Sequence, residues 1–378
     1  MNNNNFDVYM DIGSSKIRAA VFSKDNTENN FQVEKNCLSN FNKDTFDLSS
    51  TETIIEKIIL EIEDKSKEYL NNIDLMLDST EVFSIGLSLR KSLDGSKLKK
   101  GEVQFLIQDA KQQILSNYQK YDIIHIIIKN YKIDHVDYTF FPTSINANLL
   151  SVDIIFICLP KKTTQYYKSL FSKFDVSINQ IFCSSYTKSI NYKNKLFTIE
   201  NIAFIDIGFN KTSLTLYNRN KISFFHIIPV GGNHITKDIS KILKINLIDS
   251  EKIKINFDNN DNFLSTKGLS LDLVQKIIFS RIEEILELCL KSIKLNENIN
   301  VTDKFKFLLM GDGSKILDNQ FKEKIIFSHK IDLLEETTQS ICESGLNLSK
   351  GLNVQEVLMI AKKQTKEGFF EKLFHFFN

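Results

Sequence analysis

The stretch Val8-Tyr-Met-Asp11-Ile-Gly13-Ser-Ser-Lys16-Ile-Arg-Ala-Ala-Val-Phe22 is echoed by Ala203-Phe-Ile-Asp206-Ile-Gly208-Phe-Asn-Lys211-Thr-Ser-Leu-Thr-Leu-Tyr217. In each copy an apolar strand ends in Asp-Ile-Gly, a short polar turn follows and a second apolar stretch returns, the pattern of a β-hairpin. Either copy alone reads better as an ordinary hairpin whose Asp and Gly serve turn geometry. The repetition favours two similar lobes that face each other across a cleft, a favoured place for a ligand.

The turn chemistry suits a nucleotide. Gly13 lets backbone approach a phosphate, Ser14 and Ser15 offer hydroxyls and N–H groups, and Lys16 supplies positive charge. Asp11 and Asp206 then approach a Mg²⁺ ion from opposite lobes, through its waters, because Mg²⁺ gives up hydration reluctantly. A third glycine loop, Gly311-Asp-Gly313-Ser314, follows the apolar run at 305–310. Between them lies Val230-Gly231-Gly232-Asn233, with Asn233 as a good N-cap for the helix that follows. That helix start either presents N–H groups to phosphate or merely reverses the chain.

At 378 residues the chain exceeds one ordinary hydrophobic core, so two or more subdomains are expected. With only 3 Pro and 13 Gly, long flexible linkers are not expected. A formal net charge of +1 gives no field to gather nucleic acid. The five cysteines form no C-x-x-C pair, which speaks against zinc and a disulfide framework and fits a reducing cytosol. The Asn-rich start lacks the basic and apolar regions of a secretory signal, and no apolar run approaches the length of a membrane span.

Residues 81–160 alternate strand, amphipathic helix and three further strands, a small α+β unit inserted in the first lobe. His125 inside it reads as a core or edge histidine, since no second ligand supports a metal. Residues 270–295 carry the clearest helical period, through Ile277, Ile278, Arg281, Ile285, Leu288 and Ile293. Residues 367–378 place Phe369, Phe370, Leu373, Phe374, Phe376 and Phe377 on one helical face, with Lys362, Lys363 and Lys366 just upstream. Such a helix suits the plane of an anionic membrane surface; the rival reading docks it on its own domain.

The three glycine loops, in this order, resemble the two phosphate loops and the adenosine loop of the actin, Hsp70 and sugar-kinase superfamily. Within it the chain resembles the FtsA family of bacterial cell-division proteins, through residues 11–17, 230–239, 250–254 and 281–285 and the amphipathic tail. The resemblance implies an actin-like, two-lobed α/β ATPase fold with an inserted α+β subdomain and a C-terminal amphipathic helix. It divides the chain into a first lobe at 1–80 and 161–200, the insert at 81–160, a second lobe at 201–246 and 304–361, a helical subdomain at 247–303, and a linker with membrane helix at 362–378.

By the same resemblance the protein binds ATP with Mg²⁺, tethers FtsZ polymers at the division septum to the cytoplasmic face of the cell membrane, and self-polymerises. Gly13, Ser14, Ser15, Lys16, Gly208, Asn210, Gly231 and Gly232 then serve the phosphates. Glu251 and Lys254 approach ribose and base, and Gly311, Gly313 and Ser314 frame adenosine. Asp11 and Asp206 sit near the metal. The helical subdomain receives the FtsZ C-terminal peptide, with Arg281, Lys291 and Lys294 meeting its carboxylates, while the insert contacts neighbouring subunits or later division proteins. Phe209, Asn210 and Asp312 depart from the superfamily's glycines and put side chains where backbone approaches ligand, so loose nucleotide binding and weak or absent ATPase activity are expected. Two other readings stand beside this one: an actin-like component of pilus assembly, and a phosphotransferase or ATPase of the same superfamily.

Overall fold

The computed structural model describes residues 4–24, 29–37, 48–138, 140–142, 145–256, 270–296, 305–317 and 322–351. The first copy of the repeat forms β1 (Phe6–Ile12) and β2 (Lys16–Ser23), antiparallel with Asp11 opposite Arg18. Both are apolar nearly throughout and buried nearly throughout, as strands covered on both faces are. β3 (Asn29–Asn36) extends the antiparallel side, and β4 (Asn72–Leu77) and β9 (Ser177–Cys183) extend the other side in parallel, giving the order β3-β2-β1-β4-β9.

The second copy forms β10 (Ile202–Ile207) and β11 (Thr212–Asn218). With β12 (Lys221–Ile228), β13 (Lys306–Met310) and β14 (Ile331–Leu333) they build a sheet ordered β12-β11-β10-β13-β14. Strand order and strand directions match the first sheet at every step. The two-lobed actin-like architecture therefore follows the internal repeat.

Parallel neighbours need crossovers, and helices supply them. α1 (Leu48–Ser66) joins β3 to β4. α5 (Gly232–Leu243), α6 (Leu247–Ile255) and α7 (Leu271–Asn296) lie between β12 and β13. α7 buries Val274, Ile278, Ile282, Ile285, Cys289 and Ile293, a stripe at helical spacing, and matches the period seen at 270–295.

Between β4 and β9 sits the inserted unit, a sheet of order β5-β8-β6-β7 made of β5 (Phe83–Ser92), β6 (Tyr121–Ile133), β7 (Val136–Tyr138) and β8 (Leu149–Pro160), with α2 (Lys100–Asn117) packed on it. Its core, including Leu106, Ala110, Ile126 and Phe156, is separate from those of the lobes. His125 is buried where β6 meets β9, its Nε2 accepting the Cys183 N–H at 2.8 Å, as a core histidine should. α3 (Lys161–Ser172) returns the chain to the first lobe.

Two helices cross between the lobes. α4 (Ser184–Lys195) runs from β9 towards β10 and is buried from Ser184 to Lys193 despite its polar sequence. α8 (Thr338–Ser349) follows the second sheet in sequence yet packs on the first: the Tyr9 hydroxyl lies 2.6 Å from Ser349 Oγ, and Ile341, Cys342 and Leu346 join the first lobe's core.

Candidate functional site

The two hairpin turns close in the same way. Gly13 N–H donates to the Lys16 carbonyl at 2.9 Å and Gly208 N–H to the Lys211 carbonyl at 2.8 Å. Each turn therefore delivers its aspartate, Asp11 or Asp206, to the strand end facing the opposite lobe. α5 docks on the second turn so closely that a Cβ at Gly231 would lie 2.6 Å from the Gly208 carbonyl, and only glycine fits there.

This docking corrects two expectations. α5 is capped by Gly231, not Asn233, and the Gly231 N–H donates to His234 Nδ1 at 3.1 Å. The N–H groups of Gly232 and Asn233 are spent on the Gly208 and Phe209 carbonyls, at 2.9 and 2.7 Å, instead of facing a phosphate. Asn233 instead donates through its side chain to Asn210 Oδ1 at 3.2 Å.

A cleft of about 340 Å³ opens between the lobes, lined by Gly13, Ser14, Ser15, Gly208, Asn210, Gly311 and both aspartates. A second cavity of about 200 Å³ adjoins it, walled by Lys16, Gly232, Glu251, Lys254 and Gly313. Ser15, Phe209 and Asp312 line both. Together the volumes fall in the range of about 300–1,000 Å³ usual for small-molecule sites. Lys16 faces the second cavity, where it pairs with Glu34 at 2.8 Å. Glu251 and Lys254 pair at 2.5 Å, and Lys254 also donates to the Gly232 carbonyl at 3.1 Å, so this buried pair holds the cavity wall to α5. Burial lowers the pKa of Lys254 while Glu251 opposes the shift. Ser314 does not line either cavity: its hydroxyl turns inward onto the Gly311 carbonyl at 2.7 Å.

Four ion pairs cross from the first lobe to the second. Arg18 of β2 binds Asp312, a pair only 8% and 26% exposed. Lys211 Nζ of the second turn meets Asp78 Oδ2, just past β4, at 2.8 Å. Lys188 Nζ of α4 meets Asp206 Oδ2 at 2.9 Å and Glu336 Oε1 at 3.3 Å. Burial works against ionisation at Asp312 and Asp78, yet Arg18 with Lys315 in the first case, and Lys211 in the second, hold both carboxyls below the usual range. Burial also opposes charge on Lys188, but Asp206 and Glu336 outweigh it and raise its pKa. Asp312 therefore does not simply obstruct the third loop; it turns to the opposite lobe and serves as a clamp.

The residues expected to hold Mg²⁺ do not fit that ion. Asp206 already carries the Lys188 ammonium. Asp11 accepts from Ser184 Oγ at 2.6 Å and lies 3.6 Å from the Arg18 guanidinium. Among the described residues no group of three or more His, Cys, Asp or Glu is arranged to hold a metal. A doubly charged ion about 4 Å from the Lys188 ammonium would be repelled by about 8 kcal/mol at an effective dielectric of 20. The sequence pattern placed the two aspartates correctly and missed the cation between the lobes.

Arg281 needs a similar correction. Its guanidinium grips Asp238 of α5 through two hydrogen bonds, of 2.7 and 3.0 Å, and also binds Glu284. It ties α7 to α5 and is committed within the chain; Lys291 and Lys294 lie exposed further along α7. Phe369, Phe370, Leu373, Phe374, Phe376 and Phe377 lie outside the described residues.

A family model for the cell division protein FtsA matches residues 203–277. The cell division protein FtsA of Buchnera aphidicola subsp. Schizaphis graminum is 25% identical over 276 residues, covering 68% of this chain and 63% of that protein. Its counterpart in Buchnera aphidicola subsp. Acyrthosiphon pisum is 23% identical over 353 residues, 82% of this chain and 83% of that one. The chain is similar to the FtsA cell-division proteins. Among solved structures it is similar to a chain of a PilM-PilN type IV pilus biogenesis complex, with a TM-score of 0.63 at 11% identity over 92% of this chain and 98% of the other, a likeness of fold alone.

The segment matched by the FtsA family model runs from β10 into α7, so it carries Asp206, Gly208, Lys211, Gly232, Glu251 and Lys254, the second lobe's half of the cleft. Arg18, Asp78, Lys188 and Glu336 lie outside it and are the cleft-lining residues that sequence reasoning missed. One signal was available for Lys188: the run Ser184-Ser-Tyr-Thr-Lys-Ser-Ile190 begins a helix without an apolar stripe, which suits a helix enclosed among polar groups better than one on a surface.

Proposed function

We propose that this chain is an actin-like division protein of the FtsA type, which binds a nucleoside triphosphate between its lobes and joins FtsZ polymers to the cytoplasmic face of the membrane. The nucleotide part is supported by the two adjoining cavities: the hairpin turns flank the larger one, and the Glu251–Lys254 pair walls the smaller. The division part is supported by the FtsA relatives, one of which aligns with 82% of this chain. Self-association into filaments accords with the actin-like fold, and the insert is a candidate surface for subunit or division-protein contacts.

The observation that carries the membrane role is the composition of 367–378, where six large apolar side chains share one helical face beyond a lysine-rich approach. A helix of this length lies in the interface and does not cross it. Slow turnover is expected: the cleft carboxylates Asp78, Asp206 and Glu336 are each paired with a lysine, leaving none of these three free to act as a general base.

Co-sedimentation of the full chain with FtsZ and vesicles containing anionic lipid tests the reading. The full chain should carry FtsZ down with the vesicles, and removal of 367–378 should abolish vesicle binding while FtsZ binding persists. Undiminished vesicle binding without 367–378 would refute the anchor, and failure to recruit FtsZ would refute the adaptor role.

A further inference from the structure

Among the described residues, the side chains lining the interlobe cleft bring five carboxylates, Asp11, Asp78, Asp206, Asp312 and Glu336, against three cations, Arg18, Lys188 and Lys211. Every cation is matched by a carboxylate, and the excess charge is negative. Each cation also crosses between the lobes. Arg18 and Lys188 reach from the first lobe to Asp312 and to Asp206 with Glu336 in the second. Lys211 returns from the second lobe to Asp78 in the first. Arg18 in addition approaches Asp11 at 3.6 Å and Glu34 at 3.2 Å within its own lobe. The lobes thus exchange cations in both directions, and parting them would strand carboxylates on both faces.

These are not loose surface pairs. Every member of the crossing pairs is 15% exposed or less except Asp312, at 26%. Partners are fixed from behind: the Gly311 N–H donates to Glu336 at 2.7 Å, and Lys211 Nζ donates to Ser213 Oγ at 2.6 Å. Salt screens such enclosed pairs little, and removing one partner leaves a charge uncompensated.

We propose that the crossing pairs form a charge lock, in which the chain's own cations hold the two lobes at their present spacing without help from a ligand. The inference goes beyond the nucleotide reading, because it states what sets the lobe spacing whether or not a nucleotide enters. A ligand moves a conformational equilibrium only by its differential affinity for the two states. Where the chain already populates the closed arrangement by itself, a ligand has little closure left to drive.

Pulsed electron paramagnetic resonance between nitroxides at Glu56→Cys on α1 and Lys291→Cys on α7 tests the lock. Both positions are exposed, and the five native cysteines are buried. The ligand-free chain should give a single narrow distance distribution that moves by less than about 3 Å when ATP and Mg²⁺ are added. A broad or longer ligand-free distribution that narrows on adding ATP would overturn the lock and leave the nucleotide site standing. Calorimetry on the same sample reads ATP binding separately. Absence of binding beside a single narrow ligand-free distribution would overturn the nucleotide reading and leave the lock standing. Lys188→Met should lengthen and broaden the ligand-free distribution, and adding Asp206→Asn and Glu336→Gln should restore the wild-type distance, because the stranded charges are then gone. An unaltered distance in Lys188→Met, with wild-type circular dichroism, would also overturn the lock. The labelled wild type decides the matter if Lys188→Met does not fold.

Discussion

Lys211 Nζ rests 2.8 Å from Asp78 Oδ2, joining the second hairpin turn to a residue 133 positions earlier in the other lobe. Ser185 and Ser213 surround the same ammonium, at 3.1 and 2.6 Å, so the pair is satisfied beyond its Coulomb attraction. Lys211→Met should destabilise the protein by about 3 kcal/mol, because it strands a mostly buried carboxylate. Combining it with Asp78→Leu should restore part of that loss, a coupling of about 1–3 kcal/mol in urea unfolding. The contribution has a definite pH sense. Asp78 ionises more readily folded than unfolded, so its stabilisation is present above the unfolded carboxyl's pKa and fades as pH falls through the lower folded value.

Asp74 on β4 behaves oppositely. Burial, reinforced by Asp7 nearby, pushes its pKa up to about 7. The folded state therefore holds a proton that the unfolded chain releases near pH 4, and stability declines as pH rises between those values. Asp74→Asn should change little at pH 4 and stabilise by about 2–4 kcal/mol at pH 8, measured by urea unfolding at both pH values. Equal effects at the two pH values would rule out this account.

Gly311 combines φ +88° with a position where a Cβ would lie 2.6 Å from the Ile207 carbonyl and clash with Asp206. Gly311→Ala should lower stability by about 2 kcal/mol or more and displace Asp206 from Lys188. Thermal unfolding reads the first effect. Weakened ATP binding in a variant that still shows the wild-type circular dichroism reads the second.

Phe209 stands at the join of the two cavities, its ring 5.5 Å from the Lys254 ammonium. Phe209→Gly should open the join and tighten ATP by about fivefold, equivalent to about 1 kcal/mol. An unchanged or weaker dissociation constant would show that the ring serves the ligand instead of narrowing its path.

The lobes were legible because β1–β2 and β10–β11 repeat both their apolar runs and their turn residues, and local pattern suffices to build a hairpin. The long helix α7 was legible for the same reason, since its buried stripe has a period of its own. The cleft's charge pairs were not. Arg18 and Lys211 sit inside the repeat, yet their partners lie 294 and 133 residues away, and nothing local marks a lysine that will face the opposite lobe. Arg281 misled for a related reason: its period placed it on the helix, while its commitment to Asp238 depends on how α5 packs.

The return of α8 to the first lobe has a consequence for biosynthesis. Tyr9 and Ser349 touch across 340 residues of chain, and Cys342 and Leu346 fill a core whose first strand is β1. At about 5–20 residues per second, a ribosome needs roughly 20–70 s between making one side of that contact and the other. Through that interval the first lobe waits with an apolar face uncovered, whereas the second sheet receives its last strand, β14, at residue 333, before α8 begins. The half of the molecule synthesised first is therefore completed last, and a nascent chain stalled before residue 338 presents chaperones with an open first lobe beside a finished second sheet.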